Sequence, residues 1–195
     1  MSDIRAYETL RSFHSALDGC QVQLKDSGTV DLIEGLTRAV KMVQEVDRVK
    51  KKVIIVGNGG SAAIASHQCV DLWKNGGIRA TAFNDSSLLT CIANDFSYSE
   101  VFSKPIEMFA DAGDLVMAVS SSGKSQNILN AVEAAKKTRC STIGFSGFKS
   151  DNPLRKLCDV NFYVPSQGYG IVEVGHLLLI HAIIDEVIAL KGGAQ

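Results

Sequence analysis

The fold is decided by the stretch Val53-Ile-Ile-Val-Gly-Asn-Gly-Gly-Ser61, which continues through His67 to Asp71. Four apolar β-forming residues without polar alternation are typical of a parallel strand that is buried on both faces. The glycines that follow allow a sharp turn and a close approach of a ligand to the backbone N–H groups. A helix that begins behind such a loop has unpaired N–H donors and a partial positive charge, which favour phosphate.

The glycine pattern alone leaves two interpretations open, phosphate binding and a simple change of chain direction. It is not the G-x-G-x-x-G fingerprint of dinucleotide-binding folds, and it is not a Walker loop, because no Gly-Lys-Ser/Thr closes it. We therefore expect no nucleotide cofactor.

The composition limits the class of protein. At 195 residues the chain fits one domain, or one domain with a helical extension. Apolar residues make up 46%, enough for a sizeable core, and the net charge of −1 gives no indication of nucleic acid as a partner. Five scattered cysteines without C-x-x-C spacing indicate a reducing compartment. Because neither a signal peptide nor a bilayer-spanning stretch is recognisable, we expect a cytoplasmic protein without membrane contact.

Short apolar strands alternate with helices after residue 50, which predicts a parallel sheet covered on both faces. The predicted strands are 53–56, 79–83, 115–119, 142–145 and 160–164, and the predicted helices are about 61–74, 86–93, 99–110, 124–138, 152–158 and 170–190. Two further helices, 3–25 and 30–50, precede the first strand, and we expect them to lie outside the sheet. They pack either on their own domain or against another subunit, and the sequence does not separate these alternatives.

A second loop, Ser120-Ser-Ser-Gly-Lys-Ser125, follows the third predicted strand. One hydroxyl would suffice to cap the next helix, so four are a surplus that favours phosphate binding. Both Ser-bearing loops follow strands of one parallel sheet and must open at the same edge. Without a Walker Lys–Ser pair, they indicate a small phosphorylated metabolite.

Four motifs carry a resemblance to a known family: Gly57-Asn-Gly-Gly-Ser61, Ala93-Asn-Asp-Phe96, Ser120-Ser-Ser-Gly-Lys-Ser125 and Glu173-x-x-His176-x-x-x-x-His181. Through them the chain resembles the sugar isomerase (SIS) domain family over nearly its whole length. Within that family it is most similar to the sedoheptulose 7-phosphate isomerases, also called phosphoheptose isomerases.

The resemblance implies a three-layer α/β/α sandwich of the flavodoxin-like type, with a five-stranded parallel sheet and an N-terminal helical pair. It implies one SIS domain over 1–195, with 1–50 as a helical extension used in oligomerisation. It also implies a homotetramer whose active sites form where subunits meet. The residues that would contact a sugar phosphate are Asn58, Gly59, Ser61, Asp95, Ser120, Ser121, Ser122 and Ser125.

Two histidines and two carboxylates form the candidate chemical group. His67 and Asp71 are four residues apart and share a helix face. Glu173 and His181 are eight residues apart, slightly more than two turns, so both can face one cleft. Such a set suits acid–base chemistry and also a divalent metal. His176 falls off the favoured face, and we expect an ordinary structural histidine bonded to backbone.

Aldose–ketose isomerisation moves one proton between adjacent carbons through an enediol, with a carboxylate as base and an acid such as His serving the oxygens. In the resembled isomerases a Glu on the first catalytic helix is the base and a His on the last helix is the acid. These positions match Asp71 and His181. The zinc of the family would fall on His67, Asp71, Glu173 and His181.

The chain departs from the family pattern at the reactive end of the sugar. Asp71 replaces the family's Glu and is one methylene shorter, while Glu173 replaces a Gln and adds a second candidate base. The family's Arg after the base is missing, and its Asp before the last helix is replaced by Gly170.

We therefore expect an isomerase that converts sedoheptulose 7-phosphate to D-glycero-D-manno-heptose 7-phosphate for the precursors of lipopolysaccharide or capsule. One alternative is an isomerase of a different sugar phosphate. The other is a non-catalytic SIS protein that binds sugar phosphates or a protein partner, as the replication-initiator-binding type does.

Overall fold

A seven-stranded sheet forms the centre of the computed structural model, which describes residues 4–192. Its strands are β1 (Gln21–Leu24), β2 (Gly28–Val30), β3 (Val53–Gly57), β4 (Ala80–Thr81), β5 (Leu115–Ser120), β6 (Ser141–Ser146) and β7 (Val160–Tyr163). Their order is β2-β1-β7-β6-β5-β3-β4, and the five strands from β7 to β4 run parallel. The predicted α/β class with five parallel strands is confirmed.

Helices cover both faces of this sheet. They are α1 (Arg5–Asp18), α2 (Leu32–Arg48), α3 (Gly60–Lys74), α4 (Ser86–Asp95), α5 (Ser103–Phe109), α6 (Gln126–Lys137), α7 (Pro153–Leu157) and α8 (Tyr169–Leu190), with a 3-10 turn at Tyr98–Glu100. Helices α2, α3 and α8 share one hydrophobic cluster with the sheet, and α5, α6 and α7 share another. This arrangement is the expected three-layer sandwich.

The buried strand β3 shows why the pattern lacks alternation. All five of its residues are buried. Val53 and Ile55 belong to the cluster of α2, α3 and α8, whereas Ile54 and Val56 belong to the cluster on the other face. Successive side chains of a strand point to opposite faces, so a strand covered on both sides must be apolar throughout.

The prediction of a first helix over 3–25 is wrong from residue 19 onward, and residue 3 lies outside the described residues. Helix α1 ends at Asp18, and β1 pairs antiparallel with β7. The expectation that the N-terminal segment lies outside the sheet therefore fails for β1 and β2. Val22 and Leu24 are buried while their neighbours are not, which is the alternation of a strand with one covered face.

The second N-terminal helix agrees better with its prediction. Helix α2 begins after Asp31, whose Oδ1 accepts a hydrogen bond from the Glu34 N–H at 2.8 Å. Such an N-cap satisfies a donor that has no partner within the helix. Its apolar stripe is buried against the sheet and α8.

Helix α8 is the longest helix of the described chain, at 22 residues. It agrees with the predicted helix of about 170–190, and its residues Ile180, Ile183 and Ile184 are fully or almost fully buried. Among residues 4–192 no helix combines the length and apolar character needed to cross a bilayer.

The strand order reverses at β3, whose neighbours are β4 on one side and β5 on the other. In open α/β sheets, ligands bind at the carboxyl ends of the strands next to such a reversal. The loops that follow β3 and β5 are the two Ser-bearing loops singled out in the sequence.

Candidate active site

A cavity of about 170 Å³ opens at the carboxyl ends of β3 and β5. Both Ser-bearing loops and the first turns of α8 form its wall. The lining residues are Asn58, Ser61, Val119, Ser120, Ser121, Ser122, Ser125, Tyr169 and Glu173. Adjacent parallel strands thus bring together hydroxyls that are about 60 residues apart in sequence.

The ends of two helices meet at this cavity. Gly59 is the N-cap of α3 and has a φ of 55°, a left-handed conformation that favours glycine. Ser125 is the N-cap of α6, and neither helix receives a side-chain cap among the described residues. Their N-terminal N–H groups and partial positive charges favour an anion in the cavity.

The serine hydroxyls differ in how well they are satisfied. The Ser120 hydroxyl donates to Ser125 Oγ at 3.4 Å, and Ser122 Oγ accepts from the Lys124 N–H at 3.3 Å. Ser121 Oγ is buried and meets no hydrogen-bond partner within residues 4–192. Buried hydroxyls are normally paired, so an unpaired one in a binding cavity indicates a ligand that completes it.

Asn58 is held in place by two side chains that the sequence did not single out. Its amide exchanges two hydrogen bonds with the amide of Asn127, at 2.9 and 2.8 Å. The Tyr98 hydroxyl donates to Asn58 Oδ1 at 3.0 Å. The first loop is thereby fastened to α6 and to the 3-10 turn.

A second group lies on the facing sides of α3 and α8. The carboxylate oxygen Asp71 Oδ2 is 3.2 Å from His67 Nε2 and 3.7 Å from His181 Nδ1. The two imidazole rings meet edge to face, with centroids 5.4 Å apart. A carboxylate between two imidazoles can orient both rings and hold a proton on either of them.

These three side chains fit a divalent metal. One ligand atom from each of His67, Asp71 and His181 lies within 4.8 Å of the others. Neutral imidazole and carboxylate are zinc ligands, and three protein ligands leave a position open for substrate. Glu173, the fourth ligand expected from the resemblance, is not part of this group. Its carboxylate lies against Gly60 instead and lines the serine cavity.

This chain is similar to known proteins in both sequence and fold. The sequence pattern of the SIS domain matches residues 22–147. The chain belongs to the SIS domain family. Phosphoheptose isomerase of Campylobacter concisus is 39% identical over 166 residues, which are 81% of this chain and 86% of that protein.

Further relatives of this SIS domain protein have the same name, phosphoheptose isomerase. Phosphoheptose isomerase of Aliarcobacter butzleri is 36% identical over 156 residues, 77% of this chain and 82% of that protein. The structure of phosphoheptose isomerase from Neisseria gonorrhoeae superposes with a TM-score of 0.82 at 29% identity, over 94% of this chain and 97% of that chain. The predicted resemblance to the SIS family and its phosphoheptose isomerases is confirmed.

Asp95 of this SIS domain protein lies away from the serine cavity. It is exposed at the last residue of α4, where its carboxylate accepts from Asn94 Nδ2 at 2.9 Å and from the Cys91 thiol at 3.4 Å. The structure does not bring Asp95 to Ser61 or to the second loop within one chain. Its predicted contact with a ligand stays a prediction.

His176 has the structural role that was expected. It is fully buried, and its Nε2 donates to the Ser146 carbonyl at 3.0 Å. Burial lowers the pKa of His176 from its ordinary value of 6.5 to about 4, although the hydrogen bond opposes this shift. The side chain is therefore neutral at physiological pH and serves packing.

Gln68 is a further residue at this site that sequence reasoning missed, besides Asn127 and Tyr98. It is fully buried beside Asp71 of α3 and His181 of α8, and its Nε2 is 2.9 Å from His181 Nε2. It lies three residues before Asp71 and therefore on the same helix face. That spacing, together with a polar residue at a helix position that faces a core, could have drawn attention to it.

Proposed function

We propose that this SIS domain protein is an aldose–ketose isomerase that converts sedoheptulose 7-phosphate to D-glycero-D-manno-heptose 7-phosphate, a precursor of surface polysaccharides. The observation that carries the proposal is that a hydroxyl-lined cavity and an acid–base group lie together at the carboxyl ends of the parallel strands. A hydroxyl-lined cavity holds the unpartnered Ser121 Oγ, and an acid–base group lies on the two helices, α3 and α8, that begin at that cavity. The name phosphoheptose isomerase of its relatives supports the same reaction.

The serine cavity would hold the phosphate. The hydroxyls of Ser61, Ser120, Ser121 and Ser125 can donate to phosphate oxygens, and the N-termini of α3 and α6 add N–H donors without requiring a Lys. Hydrogen bonds to charged groups contribute about 1.5–3 kcal/mol each, so a few of them suffice for tight binding.

Glu173 would be the base. Asp71 Oδ2 already contacts both imidazoles, whereas the Glu173 carboxylate lines the cavity and has no hydrogen bond or ion pair with residues 4–192. It would take the proton from C1 of the ketose, form the enediol and return the proton to C2. His181 would move the proton between the two enediol oxygens, oriented by Asp71.

The metal proposal concerns His67, Asp71 and His181. A divalent ion bound there, zinc or another, would polarise the carbonyl oxygen of the sugar. This assignment leaves Glu173 free for proton transfer rather than using it as a fourth ligand. The position of Asp71 supports this assignment, because one of its two carboxylate oxygens, Oδ2, already lies near both histidines.

We further propose that 1–195 functions as one SIS domain, assembled as a cytoplasmic homotetramer with 1–50 in subunit contacts. Exposed apolar side chains on neighbouring helices support this assembly: Leu10 on α1, Trp73 on α3 and Leu178 on α8. Burial of these side chains between subunits would remove apolar surface from water.

The deciding experiment is exchange in D₂O. The metal-replete protein is incubated with sedoheptulose 7-phosphate, and proton loss at C1 and heptose phosphate formation are followed by NMR. We expect label incorporation with product. Glu173→Gln should reduce both rates by about 10²–10⁴-fold, the usual contribution of a general base. Asp71→Asn should also slow the reaction, and equal exchange in Glu173→Gln and the parent chain would contradict the assignment of the base.

The phosphate end is tested separately. Ser121→Ala should raise KM roughly 10–100-fold, because one hydrogen bond to a charged group is lost. Ser141→Ala is the matched control. Ser141 is exposed at the start of β6, at the amino ends of the parallel strands, whereas the cavity lies at their carboxyl ends. Exchange with another sugar phosphate but none with sedoheptulose 7-phosphate would overturn the substrate and keep the reaction. Binding without any exchange would overturn the reaction.

A further inference from the structure

Gln68 combines two features that packing alone does not explain. Its side chain is fully buried, and both protons of its amide are used: Nε2 lies 2.9 Å from His181 Nε2 and 3.5 Å from Asp71 Oδ2. The other end of the amide, Oε1, is buried without a hydrogen-bond partner in the described chain. A buried carbonyl oxygen of this kind costs about 1–3 kcal/mol when it stays unsatisfied.

The amide nitrogen defines the proton position on His181. An amide nitrogen can only donate, so the ring nitrogen that faces it must present a lone pair. The proton of the neutral His181 ring is then on Nδ1, which faces Asp71 Oδ2 at 3.7 Å. In this state His181 Nε2 accepts a hydrogen bond from Gln68. The proton on Nδ1 faces the Asp71 carboxylate, which attracts it electrostatically at a distance longer than a hydrogen bond.

A metal ion reverses this requirement. The ring nitrogen of His181 that faces the carboxylate is Nδ1, so binding there needs Nδ1 without its proton. The neutral ring then carries its proton on Nε2, which would point at the amide nitrogen of Gln68, donor against donor. Rotation of the amide by half a turn removes the conflict, because it presents the unpartnered Oε1 to Nε2–H.

We propose that Gln68 is a positioning residue that selects the tautomer of His181, donating to Nε2 in the metal-free chain and accepting from Nε2 when Nδ1 holds a metal ion. The second half rests on the proposed metal site, whereas the first half does not. Metal-bound histidines commonly donate their other N–H to an acceptor that fixes the ring, and the loss of that acceptor costs about 10–100-fold in affinity.

The first half is tested on metal-free protein by ¹H–¹⁵N correlation spectra of its histidine rings, with His181→Asn to assign the resonances. We expect His181 to carry its proton on Nδ1 in the parent chain, at a pH well above the ordinary histidine pKa of about 6.5. Gln68→Glu should move a proton to Nε2, because a carboxylate only accepts. A parent chain protonated on Nε2, or no change in Gln68→Glu, would overturn this half.

The second half is tested by calorimetric titration of the metal-free protein with Zn²⁺ alone. Gln68→Leu should lose about 10–100-fold in affinity, whereas Gln68→Glu, which keeps an acceptor, should lose much less. Equal losses in both variants would indicate a merely structural role and overturn it. Absence of Zn²⁺ binding in the parent chain would overturn both this half and the metal proposal, while the ring spectra would still decide the first half.

Asn75→Leu is the matched control. Asn75 also donates an amide N–H to Asp71, to Oδ1 at 3.3 Å, but no hydrogen bond joins it to His181 within residues 4–192. We expect the His181 tautomer to be the same in Asn75→Leu and in the parent chain. Thermal unfolding of each variant identifies any that does not fold. If Gln68→Glu does not fold, the histidine ring spectra of the parent chain and of Gln68→Leu test the first half of the proposal instead.

Discussion

Gly60 determines where the Glu173 carboxylate lies. A Cβ at position 60 would be 2.5 Å from Glu173 Oε2, a distance that Cβ atoms in real structures essentially never show. The clashing atom is the end of a flexible side chain, so the fold can tolerate Gly60→Ala, and alanine is favoured over glycine in helices by about 1 kcal/mol. We therefore expect Gly60→Ala to keep its melting temperature and to lose at least roughly tenfold in kcat/KM, because the carboxylate is displaced from the reacting carbon.

The control for this prediction is Gly170→Ala. Gly170 lies in the first turn of α8. Apart from its two chain neighbours and the nearby backbone of its own helix, no described atom is within 4 Å of a Cβ built there. Activity and melting temperature should both stay near the parent values. Equal kinetic constants for Gly60→Ala and Gly170→Ala would contradict the role given to Glu173.

His176 predicts a pH dependence of stability. Because its pKa is about 4 in the folded protein and near 6.5 when unfolded, the unfolded chain binds more protons between these values. The stabilisation is complete above about pH 6.5 and is lost as the pH falls towards about 4, a change of roughly 3 kcal/mol in the free energy of unfolding.

Urea unfolding of the parent chain and of His176→Gln, in steps from about pH 7 to about pH 4.5, measures this contribution as the difference between their slopes. Gln keeps an N–H donor for the Ser146 carbonyl and does not titrate. Parallel slopes in the two proteins would contradict the buried, neutral state of His176.

Residue types and spacing predict which side chains of the candidate site lie near one another, but they do not predict how these side chains divide into two groups. Loop hydroxyls after two strands, and a His and an Asp one helical turn apart, are readable because backbone periodicity fixes their direction. Glu173 and His181 share a helix, yet two turns separate them and their side chains reach different groups. Which group a side chain joins depends on tertiary contacts, such as Gly60, that carry no sequence period.

At the scale of elements, the N-terminal segment shows where the hydrophobic pattern misleads. Strands β1 and β2 have four and three residues, too few for alternation to outweigh a loose helical stripe. Leu10, an apolar residue of the predicted helix 3–25, is exposed. The decisive contact is the pairing of β1 with β7, about 140 residues away, which no local pattern encodes.

The packing of α2 on β1 predicts a coupled pair of residues. A Cβ on Gly35 would lie 2.6 Å from both methyl groups of Val22, which is fully buried. Gly35→Ala should therefore destabilise the protein by about 1–3 kcal/mol despite its better helix propensity. Val22→Ala should cost roughly 2 kcal/mol by itself, and the double variant should be at least about 1 kcal/mol more stable than the sum predicts.

Leu24→Ala combined with Gly35→Ala is the control cycle. Leu24 is buried on the same strand, but the three atoms nearest to a Cβ at position 35 all belong to Val22. These two changes should add within about 0.5 kcal/mol in urea unfolding. A coupling of equal size in both cycles would show that α2 does not pack on Val22 as described.

For the whole molecule, the alternation of strands and helices was sufficient to predict the layers, the parallel core and the edge that carries the site. Buried strands and their crossovers leave few arrangements, so these features follow from local pattern and chain connectivity. The assembly does not follow from local pattern, because the local sequence does not distinguish a surface residue at a subunit interface from one that faces solvent. Trp73 is such a residue, with 54% of its surface exposed in the single chain.

The proposed tetramer predicts the fluorescence of Trp73, the chain's only tryptophan. Burial of its exposed half between subunits would contribute about 2–3 kcal/mol and shift its emission to shorter wavelength. Light scattering should give four times the 20.9 kDa mass of the chain. Val70→Glu, one turn before Trp73 on the same exposed face, should release monomers whose emission lies at longer wavelength.

Met108→Glu on α5 is the control, because Met108 is also exposed but lies in the opposite layer. It should keep both the mass and the emission of the parent chain. A parent protein that scatters as a monomer would contradict the assembly, and a tetramer whose emission does not change in Val70→Glu would move the interface away from α3. Neither outcome would affect the proposed phosphate site, because all described residues that line the serine cavity come from one chain.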